Sequence, residues 1–217
     1  NSNEEALDEL VGAIADAGFK PGRDAGISLD IAASEFGRNG RYKLALDDSE
    51  LDTGGMIDLL GRWLDAYPIL SIEDPVAEDD EAGFIAFTER YGDRCQVIGD
   101  DFLVTNAARV EDAAAKGAAT AVLVKPNQAG TVTETKAALE AGKKAGFGTI
   151  VSARSGETED VTIVHLSVGW DAGQFKVGSF SRSERMAKWN EMLRVEEALG
   201  AEAVYAGHAA LGLRRVG

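Results

Sequence analysis

The sequence predicts a parallel α/β fold of the TIM-type (β/α) barrel class, and three observations carry that prediction. Strand-like and helix-like segments alternate along the 217 residues at the pitch of βα units. The strand-like runs are hydrophobic, as in a parallel sheet covered by helices. Each run closes on residues suited to chemistry: Asp30 ends ISLD, Glu73 sits in LSIED, Asp100 ends QVIGD, Lys125 follows AVLV, Arg154 and Ser155 follow TIVS, and Lys176 closes QFK. A barrel gathers its active site at the C-terminal ends of many strands, whereas an open doubly wound sheet concentrates it at one switch point. Six such units are counted, short of the usual eight-stranded barrel. The expectation is therefore one partial barrel domain, 1–217, with the first strands absent.

The elements follow in order. Ser2 and Glu5 have capping-box spacing and predict a helix over 3–17, ended by Gly18 and Pro21-Gly22. The first strand is 27–32. Gly37, Asn39 and Gly40 predict the turn of a small hairpin. A helix over 53–66 stops before Pro68, and the second strand is 69–74. Acidic residues 78–81 suit a helix N-terminus, and that helix runs to about Tyr91. The third strand is 96–101. Asn106 caps a helix to Lys116, which Gly117 terminates. The fourth strand is 121–125. Thr131 and Glu134 repeat the capping-box spacing before a helix to Ala145. The fifth strand is 149–152, a helix covers 159–168, and the sixth strand is 174–177. Ser181 and Glu184 again have capping-box spacing before a last helix to Leu199.

The formal charge of −15 argues against broad binding to nucleic-acid backbones but leaves room for a small anionic substrate beside a cation. No apolar run reaches membrane-spanning length, so no membrane partner is expected. The single cysteine, Cys95, forms no intrachain disulfide and reads as a small buried apolar residue, which suits a cytoplasmic setting. The acidic runs Asp47-Asp48 and Asp79-Asp80-Glu81 read as solvated charge. His165 reads as a packed or surface side chain and His208 as solvated. Trp63, Trp170 and Trp189 read as core or interface aromatics.

Asp30, Glu73 and Asp100 offer oxygen ligands only, with no histidine or cysteine at ligand spacing. That set favours Mg²⁺ over zinc. One strand-end acid is as well explained by a turn cap or an ion pair; three in succession, with two lysines beyond them, favour a metal site. Lys125 suits a general base whose pKa is lowered by nearby positive charge. Lys176 suits a carboxylate contact. Arg154 and Ser155 combine a planar donor fork with a hydroxyl, a set suited to phosphate.

The segments SIEDPVAEDD, IGDD with VTN, VLVKPNQAGT with TET, RSGETED, and GSFSRSER with AKWN and LRVEE occur in order over nearly the whole chain. Together they closely resemble the C-terminal barrel of the enolase family. The resemblance implies reversible, Mg²⁺-dependent dehydration of 2-phosphoglycerate to phosphoenolpyruvate, a lyase reaction of glycolysis. It implies Asp30, Glu73 and Asp100 as metal ligands, Lys125 as the base, Lys176 on the substrate carboxylate, and Arg154 and Ser155 on the phosphate. Glu73 and Asp100 would then also lie against the substrate. It implies a homo-oligomer of two or more copies. The family's N-terminal α+β domain, which supplies the general acid, is not in this sequence. Ala153 stands where the family usually has histidine. Two alternatives follow: a paralogue acting on another phosphorylated carboxylate, in the manner of carboxyphosphoenolpyruvate synthases, or an inactive barrel with a binding or assembly role.

Overall fold

The computed structural model describes residues 2–46 and 49–213. These fall into two compact units. The first holds the described residues up to Phe102 together with Lys116–Ala119, and the second holds Leu103–Ala115 and Thr120–Gly212. The Asp47-Asp48 pair lies outside the described residues.

In the first unit, helix α1 (Asn3–Asp16) begins where the Ser2 hydroxyl accepts the Glu5 backbone N–H at 3.1 Å. Strand β1 (Ile27–Asp30) follows. Strands β2 (Gly37–Arg38), β3 (Arg41–Leu44) and β4 (Ser49–Asp52) form a separate antiparallel sheet. Asn39 and Gly40 join β2 to β3 with φ of 51° and 68°, two successive left-handed residues that only an Asn-Gly type of pair adopts readily. Helix α2 (Thr53–Ala66) is capped by Asp52, which accepts the Gly55 N–H at 2.8 Å. Then come β5 (Ile69–Glu73), α3 (Glu81–Tyr91) and β6 (Gln96–Gly99). Strand β5 pairs in parallel with β1 on one side and β6 on the other. Ile27, Ile72, Val97, Leu60, Phe84 and Phe87 make the core, and Phe84 stacks on Phe102 with ring centroids 4.0 Å apart.

In the second unit, α4 (Ala107–Lys116, all but its last residue) is capped by Asn106, which accepts the Arg109 N–H at 3.1 Å. Strand β7 (Ala121–Val124) is buried along its length. A short turn of helix, α5 (Pro126–Ala129), follows it directly; Pro126 presets the first helical φ there. Helix α6 (Val132–Ala145) has the predicted N-cap, with Thr131 accepting the Glu134 N–H at 3.1 Å. Next come β8 (Gly148–Ser152), α7 (Thr162–Gly169), β9 (Gly173–Lys176) and α8 (Ser183–Leu199). Strands β7, β8 and β9 pair in parallel.

The six parallel strands and intervening helices are of the barrel class expected from the sequence, and no helix among the described residues is long and apolar enough to cross a membrane. Three local expectations need correction. The box at Ser181 and Glu184 does not form: α8 starts after Arg182 at φ 75°, and the Ser181 hydroxyl lies 2.9 Å from that of Ser179 instead. Residues 159–161 are loop, because Asp160 accepts the Thr162 N–H at 2.8 Å and so starts α7 later. The acidic run 79–81 is not merely solvated. Asp80 caps α3 at 2.9 Å from the Gly83 nitrogen and accepts the hydroxyls of Tyr42 at 2.8 Å and Thr53 at 2.5 Å.

Candidate active site

Register sets the carboxylates of the first unit. Asp30 and Glu73 are partners across β1 and β5, and Glu73 is in turn the partner of Ile98 on β6. Asp100 follows two residues beyond Ile98. Glu73 and Asp100 are buried, and Asp30, on the outer strand, is exposed. Backbone register thus puts the three predicted metal residues at the C-terminal ends of neighbouring strands, but among the described residues only Asp100 of the three belongs to a group of carboxylates whose oxygens lie close enough to share one ion.

The structure also adds two aspartates that the sequence reading passed over. Oxygens of Asp74, Asp100 and Asp101 all lie within 4.8 Å of one another, an all-carboxylate set that could hold a hard divalent cation. Asp74 has a second task. Its two carboxylate oxygens accept the backbone N–H groups of Asp100 and Asp101, each at 2.9 Å, while its own N–H bonds the Ile98 carbonyl at 3.0 Å. The carboxylate therefore ties the loop after β6 to the end of β5. Burial pushes the Asp74 carboxyl up to about 7, against the pull of those two N–H donors and with the neighbouring aspartates adding to the rise. A bound cation would favour the ionised form of Asp74. The signal in the sequence was the adjacent acid pair in IED, of which only the first member was weighed.

The second unit positions the cations. Val124 pairs with Val151, and Ser152 pairs with Lys176. Lys125 continues β7 in extended conformation, so it stands at the level of Ser152. In-register neighbours on parallel strands share a face, which sets Lys125, Ser152 and Lys176 side by side. Lys125 is only 6% exposed. An ammonium so enclosed is costly unless an opposite charge, a hydrogen-bond acceptor or a ligand meets it. Lys176 is half-buried, and Arg154 and Ser155 are exposed on the loop between β8 and α7.

Two further residues hold this arrangement. Val104 and Thr105 both adopt left-handed backbone, at φ 45° and 50°, although both are β-branched. That conformation turns the buried Thr105 hydroxyl onto the end of β7. There it accepts the Lys125 N–H at 3.0 Å and donates to Gln128 Oε1 at 2.5 Å. Asn127 Oδ1 accepts the Arg154 N–H at 3.0 Å. Thr105, Asn127 and Gln128 lie within the VTN and KPNQAGT segments, where the sequence reading singled out Lys125 alone.

His165 is exposed and lies 3.1 Å from Glu191, and His208 is exposed in the tail. Cys95 is fully buried, and its thiol is pushed up to about 12 by that burial, so it is inert at neutral pH. Trp63 is core, and its indole N–H donates to Glu4 at 2.7 Å.

Residues 1–212 fit the family model described as the enolase C-terminal TIM barrel domain.

Proposed function

Because the chain belongs to the enolase family through this domain, we propose that it is a lyase that reversibly dehydrates 2-phosphoglycerate to phosphoenolpyruvate. The observation that carries the reading is the enclosed Lys125 ammonium, level with Lys176 across β8, in a chain matching that family over 1–212. Lys125 takes the proton from the carbon next to the substrate carboxylate. Lys176 pairs with that carboxylate and meets the charge that develops on it. Arg154 and Ser155 hold the phosphate by a donor fork and a hydroxyl. Loss of hydroxide from the adjacent carbon, leaving with a proton as water, completes the double bond. Asp30, Glu73 and Asp100 would hold Mg²⁺, with Asp74 fixing the Asp100 loop; the ion would supply positive charge beside the negative charge that develops on the substrate.

The acidic surface, at a net −15, suits a small phosphorylated carboxylate rather than nucleic acid as partner. A cytoplasmic glycolytic role and a homo-oligomer of two or more copies belong to the same proposal. A second reading, a paralogue acting on a different phosphorylated carboxylate, draws on Ala153, which adjoins Arg154 in the phosphate loop.

The test follows solvent deuterium into the carbon next to the carboxylate of 2-phosphoglycerate, with Mg²⁺ present, by NMR. The wild type is expected to exchange that proton and to form phosphoenolpyruvate. Lys125→Ala is expected to exchange none while keeping its fold, because the bond to Thr105 uses the Lys125 backbone. Exchange retained in Lys125→Ala removes it from the role of base. Robust turnover of 2-phosphoglycerate excludes the paralogue reading.

A further inference from the structure

Lys188 is a buried cation with no part in the chemistry above. It lies on α8 with its side chain 1% exposed. Its ammonium donates to the Glu184 carbonyl oxygen, one turn earlier in the same helix, at 2.6 Å, and to the Thr158 carbonyl oxygen. Thr158 lies in the middle of the loop between β8 and α7, the loop that carries Arg154 and Ser155. An ammonium withdrawn from water this completely is costly unless its donors are met, and carbonyl oxygens meet them here. The loop is therefore stapled at its centre to a helix of 17 residues.

That helix is itself anchored. Trp189, the next residue, packs edge-on against Phe175 of β9 with centroids 6.3 Å apart, and Glu191 reaches His165 of α7 at 3.1 Å. The loop has two more fastenings. At its start, Asn127 of α5 accepts the Arg154 N–H at 3.0 Å. At its end, Asp160 accepts the Thr162 N–H at 2.8 Å. The Asn127 fastening comes from the short helix that directly follows Lys125, so the base and the phosphate loop share one support.

We propose that Lys188 and Asn127 are positioning residues that hold the Arg154–Ser155 loop in the conformation that receives a phosphate. The proposal rests on the substrate reading above and adds to it the device that makes an exposed loop selective. Without the two clamps, Arg154 and Ser155 remain but must be ordered at the moment of binding, which weakens ground-state affinity more than it slows the chemistry at Lys125.

The test uses the variants Lys188→Met and Asn127→Ala, with three readouts: hydrogen exchange of the 154–160 backbone, calorimetric binding of inorganic phosphate, and the split of KM from kcat on 2-phosphoglycerate. Each variant is expected to speed exchange in that loop while leaving β7 protected, to weaken phosphate binding and raise KM by about 10-fold, and to leave kcat within about twofold. Unchanged loop exchange, or unchanged phosphate affinity, in a folded variant overturns the proposal. If the wild type itself fails to turn over 2-phosphoglycerate, the substrate reading falls; loop exchange and phosphate binding then decide the clamp by themselves. If Lys188→Met does not fold, Asn127→Ala decides, since that side chain is exposed and contributes to no core.

Discussion

Asp74 adopts φ 43°, a left-handed conformation that a side chain with a Cβ enters at a cost of about 1–2 kcal/mol. It is held there by two hydrogen bonds that its carboxyl oxygens accept from the N–H groups of Asp100 and Asp101. The two effects can be separated by substitution. Asp74→Ala loses both bonds and keeps the strained Cβ; it is expected to lower stability by about 1–3 kcal/mol in urea unfolding. Asp74→Gly loses the same bonds but relieves the strain, and is expected to be less damaging by about 1 kcal/mol. Equal losses in the two variants would show that the backbone there is unstrained. At this scale the sequence was half legible. Ionisable residues at strand ends are conspicuous because apolar strands leave them nothing to do, so Asp30, Glu73, Asp100, Lys125 and Lys176 stood out. Thr105, Asn127 and Gln128 did not, because their roles depend on bonds between segments 20 or more residues apart. A hydroxyl or an amide in a loop looks the same whether or not such a partner exists.

Elements were legible where a local signal was sufficient. Thr131 accepts the Glu134 N–H and donates its hydroxyl to the Glu134 carboxylate at 2.8 Å, so the N-cap half of the predicted box at the start of α6 forms, with Glu134 turned back onto the Thr131 hydroxyl. The identical spacing at Ser181 and Glu184 failed because Arg182, at φ 75°, takes the position before α8, and Arg182 Nε meets the Glu184 carboxylate at 2.7 Å. The two sites make a controlled pair. Thr131→Ala is expected to lower the urea midpoint by an amount equivalent to about 1 kcal/mol, and Ser181→Ala by within about 0.5 kcal/mol. Equal effects would contradict the assignment of the caps. Glycine within a helix is the complementary signal. Gly61 sits inside α2, where glycine is normally unfavourable. It is needed because the Tyr91 ring of α3 packs directly over it, so that an added Cβ would strike the Tyr91 hydroxyl and ring. Gly61→Ala, which raises helix propensity in isolation, is therefore expected to destabilise by about 1–3 kcal/mol through overpacking. Thermal melting of that variant checks the sign, and a raised Tm would mean that α3 yields at no cost.

Across the whole molecule, alternation of hydrophobic runs with capped helices was enough to predict a parallel α/β barrel class, because parallel strands need a crossover between them and tolerate few polar residues. What alternation could not convey is which charges converge. The net charge of −15 is the property through which convergence can be tested. Every divalent cation relieves some repulsion in so acidic a chain, so a rise in Tm with Mg²⁺ is not by itself a sign of a site. A site adds a saturable contribution, about 2.7 kcal/mol at a free concentration one hundred times Kd, whereas diffuse relief depends on ionic strength alone. The comparison is therefore made at constant ionic strength, exchanging Na⁺ for Mg²⁺. The wild type is expected to show a saturable rise in Tm that chelation reverses. Asp100→Asn removes one charge from the buried cluster and changes the total only from −15 to −14. It is expected to lose most of the saturable rise, while a substitution of like charge at exposed Glu9 is expected to keep it. If Asp100→Asn and Glu9→Gln respond alike, the acidity of the surface accounts for the ion, and the carboxylates at the strand ends have no special claim on it.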